Sequence, residues 1–185
     1  MSRSLRIFVF YSAVVLVVAV AYYVYVVSTG TPGPERETFL SDIGEGIGEV
    51  ALWAFVAIYA RTALKLLLGK GPLARRLLPD YAPPVHGGAV LQRFLAYLDR
   101  THVYLGIAAA ALTLIHIGLM GLHPEIWFFP VVLALIVWQT AFGFFLRWRR
   151  MPRDVKRWSY SVHAQLTTGV AISIFAYFGH LLLES

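Results

Sequence analysis

The sequence predicts an all-α integral membrane protein of five transmembrane helices. Three observations carry that expectation. Of 185 residues, 58% are hydrophobic and only 14% are charged, where a soluble domain carries about a quarter charged residues. Five apolar stretches each have the ~20 residues a helix needs to cross a bilayer. The basic residues between those stretches favour one orientation.

The first span covers roughly residues 7–27 and follows Arg3 and Arg6. Its apolar core exceeds the roughly 7–15 residues of a secretory signal, and no A-x-A site follows, so it reads as a retained helix. The loop "STGTPGPERETFLSD" leads to a second span near 47–68. A longer connection over 69–97 contains Pro72, Pro79, Pro83, Pro84, Gly87 and Gly88, and reads as an irregular or interfacial cytoplasmic loop. The third span, near 98–122, is joined by the short turn "GLHPE" to a fourth near 126–146. The basic loop "RWRRMPRDVKR" precedes a fifth near 158–183. No internal repeat is visible, and residues 1–185 read as a single transmembrane domain.

With the N-terminus in the cytoplasm and the C-terminus outside, Arg36 alone of the sixteen Lys and Arg residues falls on the outer side. The expected setting is a multi-pass protein of a prokaryotic plasma membrane. The basic clusters then act as topology determinants and contacts to anionic lipid. The net charge of +6 is accounted for in this way and does not point to nucleic acid. The absence of cysteine excludes disulfides, thiolate catalysis, Cys-ligated iron–sulfur clusters and covalent haem attachment through C-x-x-C-H.

Four of the six histidines lie in two spans: His102 and His116 in the third, His163 and His180 in the fifth. A lone membrane histidine is often a helix–helix hydrogen bonder or a member of a proton path, whereas four in two parallel helices, paired by depth, point to ligation. Both spans run from inside to outside, so His102 and His163 lie toward the cytoplasm and His116 and His180 toward the outside. Fourteen residues return His116 to within about 40° of the face of His102, about 21 Å along the axis. Two imidazoles on one face, matched by two on a facing helix, suit two stacked haems with bis-histidine iron. The seventeen-residue spacing in the fifth span gives an offset of about 100° in a straight helix, which tilt or a bulge near Gly169 or Ser173 would absorb. His123 is an alternative outer ligand, although its place beside Pro124 favours hydrogen bonding in a turn. His86 has no assigned role. Gly106, Ala108–Ala111, Gly118, Gly169 and Gly179 leave room for a flat macrocycle or serve helix packing.

These residues resemble the ferric-reductase-like transmembrane domain, the di-haem b module of ferric reductases, NADPH oxidases and a bacterial haem subunit of methionine sulfoxide reductase. Cytochrome b561-like folds are close competitors. "GIGEVALWAFVAIYARTALKLLLG" resembles the helix before the first His helix, H-x13-H in the third span resembles the first His pair, and "RWRRMPRDVKRWSYSVH" resembles the approach to the second. The resemblance covers roughly residues 46–183. It implies a haem-binding four-helix core of spans 2–5, with His102, His116, His163 and His180 as axial ligands of haem b, two expected and one possible. The sequence departs from the family in its seventeen-residue spacing, in lacking a sixth helix, and in having no G-x-G-x-x-G after a strand.

The function expected is electron transfer across the membrane by a subunit of a larger redox complex, with lipid and a redox partner protein as partners and quinone as a further candidate. Bis-histidine ligation leaves no open iron position, which suits electron transfer. Arg100 and Arg157, at the cytoplasmic starts of the His helices, are candidates to pair with haem propionates; Arg61, Lys65 and Arg93 are weaker ones. Tyr104 and Trp158 are candidates for the haem edges. Alternatives are a single-haem or quinol-oxidising cytochrome b subunit, and a haem-free structural anchor. A transporter is disfavoured, because there is no inverted repeat and Glu49 is the only acidic residue near a span interior.

Overall fold

The computed structural model of the protein describes residues 2–30, 39–80 and 88–184. Those residues form seven α-helices and no strand, and five of the helices are long and apolar enough to cross a membrane.

Helix α1 spans Arg3–Thr29. Ser2 caps it by accepting the Leu5 N–H at 3.1 Å, and donates its own hydroxyl to the Leu77 carbonyl at 2.6 Å. The helix is apolar on every face: Phe10 is 72% exposed while Val15 and Ala19 are buried. An apolar surface all round is stable only in lipid or in a large core.

Helix α2 covers Phe39–Leu67, starting before the expected residue 47. Its end is set by Gly69, at φ 63°. The Lys70 N–H reaches the Lys65 carbonyl at 2.7 Å, and the Gly69 N–H reaches Leu66 at 3.0 Å. That pair of bonds is a Schellman closure, which needs a left-handed residue and so selects glycine. Helix α3, Gly71–Leu77, then begins with Pro72 in its first turn and carries Arg75 and Arg76 in its last, both favourable placements.

Helix α4 runs from Ala89 to Met120, 32 residues or about 48 Å. The hydrocarbon core is about 30 Å thick, so α4 projects beyond it. The connection expected over 69–97 therefore contains α3 and the first turns of α4, rather than being irregular throughout. A side-chain hydrogen bond from Lys70 to Gln92 ties the two together. Gly121, at φ 92°, ends α4, and the turn that follows places His123 at φ 48° before α5, Phe128–Arg147.

The fifth expected span is divided. Helix α6, Arg153–His163, ends at the histidine itself, and α7, Leu166–Glu184, starts three residues later. Helix α6 buries Ser159 and Val162 and exposes Arg153, Arg157 and Trp158. That polar-outward pattern suits the membrane surface rather than its interior. The spanning segment is Leu166–Leu183, so it is shorter than the expected 158–183.

Helix α2 packs along α4, whereas α7 packs between α1 and α5, and α6 against α5. The largest apolar cluster joins α1, α5 and α7 through Ala19, Phe128, Ile136, Phe175 and Leu182. Phe128 and Phe175 stack with ring centres 5.4 Å apart, and Tyr22 meets both Trp127 and Phe128 edge-on. The Tyr22 hydroxyl accepts the Trp127 N–H and donates to the Glu125 carbonyl.

Among the described residues neither α2 nor α4 packs extensively along α7. Side chains bridge that separation instead. Tyr59 of α2 reaches Gly169 of α7, where an added Cβ would overlap the tyrosine hydroxyl and ring. Grooves of about 320 and 370 Å³ flank Tyr59 between the two helices. Gly169→Ala is expected to cost about 1–3 kcal/mol through overpacking, read as a lowered melting temperature in detergent. Tyr59→Leu in the same background should recover most of the loss. An unchanged melting temperature in the single variant would show that Tyr59 does not occupy this contact.

Candidate functional site

The four span histidines form two pairs. The rings of His102 (α4) and His163 (the last residue of α6) have centres 6.0 Å apart, and those of His116 (α4) and His180 (α7) have centres 6.1 Å apart. The first pair lies toward the end of the bundle where α2 finishes and α4 and α6 begin, the end that carries the basic loops. The second lies toward the opposite end. The break at Ala164 and Gln165 is what reconciles spacings of fourteen and seventeen residues. It separates the histidines onto two helix segments, so the angular offset of a single straight helix does not apply. The bulge expected near Gly169 or Ser173 is not where the chain adjusts.

Three of the four rings are oriented by backbone carbonyls. Nδ1 of His116 contacts the Gly44 carbonyl at 2.8 Å, Nδ1 of His163 that of Gln139 at 3.0 Å, and Nδ1 of His180 that of Ala176 at 2.8 Å. A carbonyl only accepts, so in each case Nδ1 carries the proton and Nε2 keeps its lone pair. That is the tautomer a metal-binding imidazole needs, held in the usual outer-shell manner. Nδ1 of His102 is buried without a hydrogen-bond partner.

Glycines let other helices approach these rings. A Cβ on Gly48 of α2 would lie 2.7 Å from Nδ1 of His116, and one on Gly143 of α5 would lie 3.0 Å from Cε1 of His163. Neither position was singled out from sequence, because a glycine's role depends on what faces it. Gly179 abuts Phe129, whose ring meets His180 edge-on at 5.5 Å. Beside Gly106 and Gly118 nothing lies within 4 Å of an added Cβ. Gly106 stands one turn from His102 on the same face.

The donor set and the ring-centre separations are compatible with two imidazoles on one haem iron. Two imidazoles binding one metal from opposite sides have ring centres about 6 Å apart, from two bonds of about 2 Å and about 1 Å from each nitrogen to its ring centre. Among the described residues no three His, Asp or Glu side chains converge as a metal-ion site. Haem iron takes only two axial ligands from the protein, so pairs are the relevant unit.

The remaining candidates lie apart from the pairs. Arg100, Arg157, Tyr104 and Trp158 are exposed, Tyr104 to 70%. Tyr104 and Arg100 are each two residues from His102, about 200° around α4 and so on its opposite face. Trp158 packs edge-on against Phe142 of α5. Arg93 and Glu49 are exposed. Arg61 and Lys65 of α2 both reach Asp99 of α4, at 2.5 and 2.6 Å. Asp99 is three residues before His102, and Arg61 is within electrostatic reach of both His102 and His163.

His123 sits in the α4–α5 turn, with its ring nitrogens at 3.0 Å from Glu125 and 3.2 Å from the Met120 carbonyl. The Glu125 backbone N–H and the His123 ring hold the Glu125 carboxyl below its usual range. His86 lies outside the described residues.

Compared with protein-family models, curated proteins and solved structures, the chain matches none.

Proposed function

We propose that the chain is a b-type cytochrome that carries electrons across a prokaryotic plasma membrane, resembling the ferric-reductase-like and cytochrome b561-like modules. The observation that carries this reading is the pair of imidazole couples at two depths, each at the spacing of axial ligands. Haem supplies one-electron chemistry when bound. His102 and His163 would hold one haem b and His116 and His180 a second.

The chain's own contribution is orientation and exclusion. The Gly44, Gln139 and Ala176 carbonyls fix three ring tautomers. Phe129 covers one edge of His180. Two histidines holding one haem iron would leave oxygen no place to bind it, which would favour electron transfer. Arg61, which is ion-paired with Asp99 one turn before His102, would be a candidate to pair with a haem propionate at the basic end. Positive charge concentrated at one end supports an orientation with the N-terminus in the cytoplasm. A redox partner protein docks on one face, and a second partner or quinone exchanges electrons at the other.

Haem quantitation by pyridine haemochrome on the purified protein tests this. Two b haems per chain are expected. None, in a folded sample grown with ample haem, would contradict the reading and return the chain to the structural-anchor class.

A further inference from the structure

The two imidazole pairs differ in polarity. Three buried side-chain atoms lack a hydrogen-bond partner among the described residues: His102 Nδ1, Gln139 Oε1 and Ser159 Oγ. All three belong to residues around the basic-end pair. His102 is a member of that pair. Gln139 gives its backbone carbonyl to His163 at 3.0 Å. Ser159 is fully buried and lies one turn before His163 on α6, on the same face. The far-end pair has no such atom: His116 and the exposed His180 meet the Gly44 and Ala176 carbonyls through Nδ1, and Gly48 and the ring of Phe129 lie beside them.

A buried hydroxyl or amide oxygen without a partner keeps its full desolvation penalty. Three around one site would be a heavy and needless penalty, because alanine and leucine are always available to sequence. Their chemistry is complementary. The imidazole N–H donates, the amide oxygen accepts, and the hydroxyl does both. Ordered water with three or so polar neighbours is the usual way such groups are satisfied.

We propose that Gln139, Ser159 and His102 Nδ1 form a water-binding site at the junction of α4, α5 and α6, and that Gln139 and Ser159 act through that water as positioning residues for His102. This rests on the electron-transfer reading for its functional part, not for the water site itself. The bound water accepts from His102 Nδ1–H, doing there what carbonyls do for the other three rings. It raises the basicity of the imidazole and the polarity around the iron, both of which favour the oxidised, more positive haem. A haem held by His102 and His163 would thereby have a lower potential than in an apolar pocket.

The test uses the full chain in lipid nanodiscs, with Ser159→Ala, Gln139→Leu and the double variant. Melting temperature is read first, because it does not depend on haem. If the atoms truly lacked partners, removing them would relieve a desolvation cost and raise the melting temperature. The water site predicts the reverse: each single variant melts lower, and the double variant costs less than the sum, because either change breaks the same network. A raised melting temperature, or additive effects, overturns the site.

Spectroelectrochemical titration is read second, with the His116→Ala background isolating the basic-end haem. Both variants should move that midpoint upward, Gln139→Leu more, and leave the far-end midpoint of the otherwise native protein in place. Lowered melting temperatures with an unmoved basic-end midpoint overturn the positioning role and leave a purely structural water. Haem-free wild-type protein defeats the electron-transfer reading and with it the positioning role, while the melting temperatures still decide the water site.

Discussion

His102→Ala/His163→Ala is expected to retain one b haem per chain, and His102→Ala/His116→Ala none. The contrast follows from the pairing. The first double variant empties a single couple, His102 with His163 at 6.0 Å, and leaves the His116–His180 couple at 6.1 Å intact. The second removes one imidazole from each couple. Single replacements of any of the four histidines should leave one haem, with His102 and His163 variants retaining the same far-end haem. His123→Ala should retain two, because its ring is engaged in the α4–α5 turn. Haem quantitation and low-temperature α-band spectra read all of these. If the two double variants held equal haem, the depth pairing would be wrong. If His180→Ala retained both haems and His123→Ala lost one, the far-end ligand would be misassigned.

The second expectation concerns a residue that touches no haem. Gly48→Ala should release the far-end haem while Gly46→Ala keeps both. On propensity alone, each substitution stabilises a helix by about 1 kcal/mol. Their surroundings differ. A Cβ at Gly46 meets nothing within 4 Å, whereas one at Gly48 falls 2.7 Å from Nδ1 and 2.8 Å from Cε1 of His116. The imidazole is rigid, and the Gly44 carbonyl fixes it at 2.8 Å from the same side, so the ring has to leave its orientation or α2 has to move. Gly46→Ala should therefore melt slightly higher at full haem content, and Gly48→Ala should approach one haem per chain. Gly143→Ala, at 3.0 Å from His163 Cε1, should weaken the basic-end haem more mildly. Full haem content in Gly48→Ala would mean that α2 does not lie against His116.

The spanning helices were legible because each depends on local composition: a run of apolar residues bounded by charge is sufficient to predict it. The sorting of four histidines by depth was also legible, since it needs only helix rise and the order of spans. Boundaries were less so. The start of α4 at Ala89 rather than near 98 follows Gly88 and an amphipathic turn in a stretch crowded with proline and glycine. The break after His163 carries no proline or glycine. Its signal is the change from the amphipathic "RDVKRWSYSVH" to the predominantly apolar helix from Leu166 onward. Proximity in sequence does not bring an aromatic or basic side chain to the imidazoles. Tyr104 and Arg100 sit close to His102 in sequence but on the other side of the helix. The residues that do meet the rings, Gly44, Gly48, Gln139, Gly143 and Phe129, come from neighbouring helices. Helix-to-helix register is a tertiary property, and no periodicity within one span encodes it.

Transmembrane electron flow in sealed vesicles tests the central claim most directly. The protein is reconstituted into liposomes loaded with ferricyanide, and dithionite is added outside. Two haems in series predict that trapped ferricyanide is reduced at a rate proportional to protein content, with the rate falling to that of protein-free vesicles in the His102→Ala and His116→Ala variants, each of which keeps one haem. Equal rates in wild-type and protein-free vesicles, with both haems present and reducible, would contradict a wire across the membrane.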